Sequence, residues 1–560
     1  MRLKHSRSVF SACTLLSASL AAAAPDAGSV QQEILRDREP AARPAVRASK
    51  PVVPEKPLSG SRFTVREFVF EGNTLITGEE LSLALASCLN KEVDFERLRA
   101  CAALVTEKYQ SLGWVAKAVL PPQDIKNGTV AIKVIEARFG SYVFTGKPAS
   151  RVSKAQLQQL LDVHQRAGEL LNMGRIDRGL LLADDLPGVG VSASLDQGTQ
   201  DGSTNVVIEL ADEPLVAGNG SLDNFGSLST GSSRFNTSLN LNSPLKIGDL
   251  FSLSAMASAG NRYLRMEETW PLGHQGFRVG LNASYLTYKL TQSEFAALDA
   301  KGAASTLGAS ASFPLIRARE KNLNLSAAVD RKGYSNSSGG LLVSDYQIKT
   351  MTLGLDGSIF DEILGGGANA ASLIGTAGDK NLSGSPNQSS DALSANTQGQ
   401  FKKIRYQLSR QQKIDADWSV FMNHSGQVTG RNLDSSESFY LGGTAGVRAY
   451  PSNEGRGSEG QLLNLELRKR LPSGFSWVGF YDWGRVLGYP QNNFVGASSQ
   501  NVTVLKGYGM AVTWQTGRGS TLKATWARRI GSNPGATPAG KDQDGTLVRN
   551  RLWLSASLPF

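Results

Sequence analysis

From Leu215 to the C-terminus, apolar side chains recur at every second position. Phe251, Leu253, Ala255 and Ala257 face one way, and Ser252, Ser254 and Met256 the other. Phe277, Val279, Leu281 and Ala283 repeat the pattern, as do Leu323, Leu325, Ala327 and Val329. Leu463, Leu465 and Leu467 alternate with Asn464, Glu466 and Arg468. A period of two is that of a strand with one apolar and one polar face. A lipid-spanning strand needs ~9–11 residues, and no backbone edge can stay unpaired in lipid, so such strands must close into a barrel. About 345 residues, at some 20 per strand and connection, accommodate ~16 strands. A large soluble sandwich is the alternative that alternation alone leaves open. In a barrel, the polar stretch from Lys380 to Gln400 would be a long surface loop.

Before Leu215 the period changes. FTVREFVF, from Phe63, alternates as a strand ending at Gly72-Asn73. Leu81, Ala84, Leu85 and Cys88 then share one helical face. Asp94 is placed to cap a second helix carrying Phe95, Leu98, Ala102, Val105 and Tyr109, which Gly113 stops. Strands follow at Val115–Leu120 and Thr129–Ala137, split by Pro121-Pro122 and Asn127-Gly128. This β-α-α-β-β order recurs at once. Tyr142–Phe144 is a strand, Ser153 opens a helix with Leu157, Leu160 and Leu161, and Asn172–Leu186 is a second helix. Strands Val189–Leu195 and Thr204–Leu210 complete it, so two like modules stand in tandem. Upstream, Ser29-Val30-Gln31-Gln32 offers a capping box for a helix near 29–38. Pro40, Pro44, Pro51, Pro54 and Pro57 then make a stiff linker.

Residues 1–24 have the form of a secretory signal: Arg2, Lys4 and Arg7, an apolar core from Val9 to Leu20, then Ala21–Ala24. Net charge is +10, and +7 without those three basic residues. The cations are scattered, with Arg468-Lys469-Arg470 the densest cluster, which excludes a nucleic-acid surface and suits a polar, mixed-charge lumen. Cys13 falls in the signal. Cys88 and Cys101 remain, an even pair in the oxidising compartment that export implies. The short loop they close predicts a disulfide stabilising by ~3 kcal/mol. The chain has four His, one in the signal, and His164, His274 and His424 lack metal-ligand spacing. No P-loop, zinc signature or nucleophile elbow is present, so no enzyme activity, cofactor or metal is expected.

Two polar residues need a reason. Arg448 lies in the glycine-rich stretch GGTAGVRAYPSNEGRGSEG, residues 442–460, and Asp482 lies in the apolar run FYDWG. If the stretch folds into a barrel lumen, a bidentate Arg448–Asp482 pair would hold it in one place. Taken alone, they equally suit a surface arginine and a solvated lumenal acid.

LGWVAKAVLPPQDIKNGTVAIKVIEARFG and GRIDRGLLLADDLPGVGVSASL resemble the two periplasmic POTRA modules of the two-partner secretion transporters, the hemolysin secretion/activation family of outer-membrane proteins. VRAYP (Val447, Arg448, Ala449, Tyr450) and FYDWG (Phe480, Asp482, Gly484) resemble that family's loop-6 and barrel-wall motifs. The resemblance runs from about Phe63 to Phe560. One departure is Ala449, where many relatives carry Gly. The final LWLSASLPF resembles the recognition signal of outer-membrane barrels, with Phe560 as its last residue.

The resemblance implies a mainly β fold: a ~16-stranded transmembrane barrel, two POTRA domains and an N-terminal plug helix. The division it implies is a signal peptide at 1–24 and a plug helix and linker at 25–62. POTRA domains follow at 63–138 and 139–213, then a barrel at 214–560 with lumenal loop 442–460. The implied function is export of an unfolded exoprotein across the Gram-negative outer membrane without ATP. Its partners would be a secreted exoprotein with an N-terminal secretion domain, outer-membrane lipids and the barrel-assembly machinery. An assembly or insertion factor of the same superfamily and a passive porin are the competing readings. Two modules rather than a longer array, with the tail helix and linker, oppose the first. Tandem modules oppose the second.

Overall fold

The computed structural model describes residues 25–38 and 63–560, apart from 126, 148, 201, 538 and 547. The expected signal and proline linker lie outside the described residues. Helix α1 spans Ala27–Arg38, two residues earlier than the expected start. Its capping box is Asp26 with Ser29, not Ser29 with Gln32. The Ser29 N–H donates to Asp26 Oδ1 at 2.8 Å and the Asp26 N–H to Ser29 Oγ at 3.0 Å.

The first module contains strand β1 (Glu67–Glu71), helices α2 (Gly78–Ala84) and α3 (Phe95–Ser111), and strands β2 (Ala116–Val119) and β3 (Thr129–Glu136). FTVREFVF is broken: Phe63–Thr64 pairs instead with Glu92–Val93. Leu81, Leu85, Leu98, Val105 and Tyr109 fill the core, whereas Phe95 stays outside it, stacked under Arg99. A disulfide joins Cys88 to Cys101 in this core. Glu136 accepts from Tyr109 Oη at 2.8 Å and from the Leu75 N–H at 3.0 Å. Burial opposes its charge, but these bonds and those from Thr74 outweigh it and hold its pKa below the ordinary value.

The second module repeats the plan with β4 (Arg138–Thr145), α4 (Lys154–His164), α5 (Met173–Asp184), β5 (Val189–Gln197) and β6 (Ser203–Asp212). Both sheets have their last strand in the middle, parallel to the first and antiparallel to the second. The second module is tied to the barrel rim: Arg317 grips Asp185 through two bonds of 2.8 and 2.7 Å, and Arg319 reaches Asp177.

Sixteen antiparallel strands close the barrel. They begin with β7 (Val216–Asp223), β8 (Arg234–Asn242), β9 (Leu250–Ala257), β10 (Asn261–Leu272), β11 (Phe277–Lys289) and β12 (Lys301–Arg317). They continue with β13 (Lys321–Ser338), β14 (Leu341–Asp361), β15 (Gly367–Asn381), β16 (Gly399–Lys413) and β17 (Trp418–Thr429). The last are β18 (Glu459–Arg470), β19 (Phe475–Leu487), β20 (Val502–Gln515), β21 (Thr521–Arg529) and β22 (Asn550–Pro559). β22 pairs with β7, so no edge remains, as lipid demands.

Leu281, Val329, Leu353, Met510 and Leu554 form part of an exposed apolar exterior. Two expectations change. Glu459 and Gly460 belong to β18 rather than to the loop, and the stretch from Lys380 is not simply a surface loop. Lys380 ends in the interior, where its Nζ meets Asp434, and helix α6 (Gln388–Leu393) orders the connection.

Candidate functional site: a helix and a loop inside the barrel

Between β17 and β18 the chain turns into the lumen. Phe439–Tyr440 pairs with Arg456–Gly457, and the tip between them is almost entirely buried. The glycines explain the fold of the tip. A Cβ on Gly442 would overlap the Pro451 carbonyl oxygen, and one on Gly446 the Leu441 carbonyl oxygen. Only bare backbone fits, and the Val447 N–H donates to Leu441 O at 2.7 Å across that approach.

Arg448 is thereby aimed at the wall of β18 and β19. Its Nε donates to Asp482 Oδ2 at 2.9 Å and its Nη2 to Asp482 Oδ1 at 2.7 Å. The Arg448 N–H adds a bond to Oδ2 at 3.1 Å. Nη1 reaches Glu466 Oε1 at 2.8 Å, and Arg468 holds Glu466 from its other side. The guanidinium lies 3.5 Å from the Phe480 ring centroid, a cation–π contact. Asp482 is wholly buried and Arg448 nearly so. Buried charges paired this closely fix geometry more than they add stability.

The other motif residues line the same seat. Val447, Ala449 and Tyr450 are buried with Phe480, Val486, Leu505 and Ala527. A Cβ on Gly484 would lie 2.6 Å from Leu441 Cδ2, so this glycine makes room for the loop's stem. Phe560 is elsewhere, extending the β22–β7 ladder: its N–H donates to Gly218 O at 2.9 Å. The disulfide lies in the first module.

Three residues of the seat escape sequence reasoning. Asn464 Nδ2 donates to Asp482 Oδ1 at 2.8 Å and to Gly446 O at 3.1 Å. Glu466 balances two arginines. Trp553 Nε1 donates to Arg448 O at 2.7 Å from the last strand. Its signal was available: in LWLSASLPF it occupies the face opposite Leu552 and Leu554, an aromatic pointing away from lipid.

Helix α1 docks on other strands. Ala27, Val30 and Ile34 belong to one buried apolar cluster with Met256, Tyr263, Leu286, Tyr288 and Ile348. This part of the lumen is apolar, contrary to the expected polar interior, because the helix must bury a stripe there. Its polar side touches the loop segment. Arg36 donates to Tyr440 O at 3.0 Å and Ser452 O at 2.6 Å, and Asn453 Nδ2 to Glu33 Oε2 at 2.9 Å. Asp37 pairs with Arg234 of β8 at 2.7 Å. Among the described residues, no group of three or more metal-binding side chains occurs, and no helix is long and apolar enough to cross a membrane.

The family model described as Haemolysin secretion/activation protein ShlB/FhaC/HecB matches residues 202–505, and that of the ShlB-type POTRA domain matches 63–137. The chain is 26% identical over 526 residues to the heme/hemopexin transporter protein HuxB of Haemophilus influenzae (strain 86-028NP), covering 91% of this chain and 92% of that protein. It is 23% identical to the outer membrane transporter CdiB of Dickeya dadantii (strain 3937), covering 90% and 88%. In fold it is similar to the solved CdiB from Escherichia coli, with a TM-score of 0.70 at 19% identity over 95% of each chain. BamA from Haemophilus ducreyi lacking POTRA domains 1-3 shares the fold less closely, at a TM-score of 0.51. A barrel plugged by its own helix and loop, behind tandem modules, thus carries the family's match across more than half its length, and the chain belongs to the haemolysin secretion/activation family of two-partner secretion transporters of the outer membrane.

Proposed function

We propose that this chain exports one secreted exoprotein, unfolded and without ATP, and that its POTRA modules capture the client's N-terminal secretion domain in the periplasm. The observation that carries the reading is a lumen filled by the chain's own helix and by a loop anchored through Arg448, with the second module tied to its rim. In this reading residues 63–138 and 139–213 act as recognition domains and 214–560 as the pore. Folding of the client outside supplies direction. The open edge of β5 supports capture by β-augmentation: β5 ends its sheet, and Ser192–Gln197 are exposed. The Arg448–Asp482 pair holds loop 442–460 at the wall during transport. Outer-membrane lipids cover the apolar exterior, and Phe560 closes the signal by which assembly machinery inserts the barrel.

Deletion of residues 63–212 tests the proposal. Export of the exoprotein that co-purifies with the intact chain should be abolished, while the truncated protein stays in the outer membrane as a pore. Export by the truncated protein would overturn it.

A further inference from the structure

Four lumen-facing positions lie side by side across the wall. Asn464 of β18 pairs with Asp482 of β19, Asp482 with Gly507 of β20, and Gly507 with Arg529 of β21. Neighbouring strands are ~4.8 Å apart, so the row is a track roughly 15 Å long. The loop lays its residues along this track in order. Gly446 O accepts from Asn464 at 3.1 Å, and Arg448 meets Asp482. Ala449 lies over Gly507, and the Tyr450 ring sits under the Arg529 guanidinium at 4.7 Å.

Gly507 is the position on the track without a side chain. A Cβ there would lie 2.6 Å from Ala449 Cβ, closer than two methyl carbons can approach, and 3.6 Å from Val447 Cγ1. Its φ is not in the left-handed region, so the backbone does not call for glycine. Nor is Ala449 left-handed, and it is wholly buried. The methyl group that distinguishes Ala449 from glycine therefore occupies the space that Gly507 leaves.

We infer that Gly507 is a positioning residue for the lumenal loop: its missing side chain seats the Ala449 methyl, and the sizes at 449 and 507 are complementary. The seat works by shape, independently of the ion pair beside it. The inference rests on the loop being what narrows the pore, and Arg448→Ala, measured alongside, tests that reading separately.

The experiment is single-channel recording of the purified full-length protein in diphytanoylphosphatidylcholine bilayers with KCl. One added methyl at Gly507→Ala overpacks the seat and should raise the frequency of wide openings about tenfold. Ala449→Val should do the same from the loop side. Ala449→Gly in the Gly507→Ala background restores the total volume and should return openings to within about twofold of the parent, the non-additivity expected of a direct contact. A heat-modifiable, folded Gly507→Ala with parental openings would overturn the inference, and so would failure of Ala449→Gly to rescue it. Should Gly507→Ala not fold, Ala449→Val decides, because its change lies outside the strands: parental openings there sink the proposal. If Arg448→Ala also leaves openings unchanged, the pore-narrowing role of the loop falls instead.

Discussion

Helix α1 and the loop tip occupy one lumen but are held by different forces. The helix lies on β11, β12 and β13 through the stripe Ala27, Val30 and Ile34, flanked by hydrogen bonds from Tyr334 and Arg36 and by the Asp37–Arg234 pair near its C-terminal end. The loop lies on β18–β22 through a buried ion pair, glycine-shaped sockets and the indole of Trp553. Apolar contact is non-directional, so the stripe's share of the docking is released at a cost set by area, to which the single Asp37–Arg234 pair and the Arg36 bonds add. A bidentate pair has one geometry, and its separation strands buried charge. The loop is also joined to β17 and β18 at its two ends, whereas α1 is continuous with the barrel only through the chain beyond Arg38. In the proposed function this difference would make the helix the part that vacates the pore and the loop the part that keeps its place, and the variants below test that division.

The largest effect should come from Arg448→Ala. It leaves Asp482 and Glu466 buried without their cation, a loss of about 3–5 kcal/mol for a broken buried pair. Export should fall below detection while the barrel remains inserted and heat-modifiable; normal secretion would show that the pair does not hold the loop. Next comes Val30→Asp. Burying an aliphatic side chain of this size contributes about 1.5–3 kcal/mol, and a carboxylate in its place forbids docking. The helix should leave, read as rapid proteolysis of residues 25–38 and frequent wide openings, with the loop still protected. If the loop becomes cleavable too, the two occupants form one unit and the comparison fails.

Much of this architecture is legible in the sequence because its periods are local. Alternation from Leu215 specifies strands, and length fixes their approximate number. The helical spacing of Leu98, Ala102, Val105 and Tyr109 marks α3. Arg448 and Asp482 are conspicuous as lone charges in glycine-rich and apolar surroundings. What local patterns do not contain is register across a closed sheet. That Asp482 stands beside Asn464 and Gly507, or that Trp553 reaches Arg448 O, follows only once strand pairing is fixed. The helix start is ambiguous in the sequence for a different reason. Asp26-to-Ser29 and Ser29-to-Gln32 both offer caps, and the phase of Ala27, Val30 and Ile34 against the wall decides between them. That wall had its own signal: Met256 on a face with Ser252 and Ser254 marks an interior that something apolar must cover.

A smaller effect isolates the indole. Trp553→Phe keeps a ring against Phe225, which it meets edge-on at 5.9 Å, but removes the donor to Arg448 O. An acceptor left buried and unsatisfied costs about 1–3 kcal/mol. Export should be reduced but not lost, and helix protection unchanged. A loss equal to that of Arg448→Ala would mean that the seat depends on the Arg448 carbonyl as much as on its side chain.

The smallest effect is expected at Asp26. Loss of an N-cap costs about 1 kcal/mol, roughly fivefold in a docking equilibrium. Asp26 also accepts from Ser435 Oγ at 2.8 Å, so part of its role is contact with the loop segment rather than with its own helix. Asp26→Asn keeps a capping oxygen and separates the two roles. If the cap matters, Asp26→Ala should raise wide openings about fivefold and Asp26→Asn hardly at all. If Asp26→Ala instead matches Val30→Asp, polar contact at one end holds the helix, and the apolar stripe is not what sets its release.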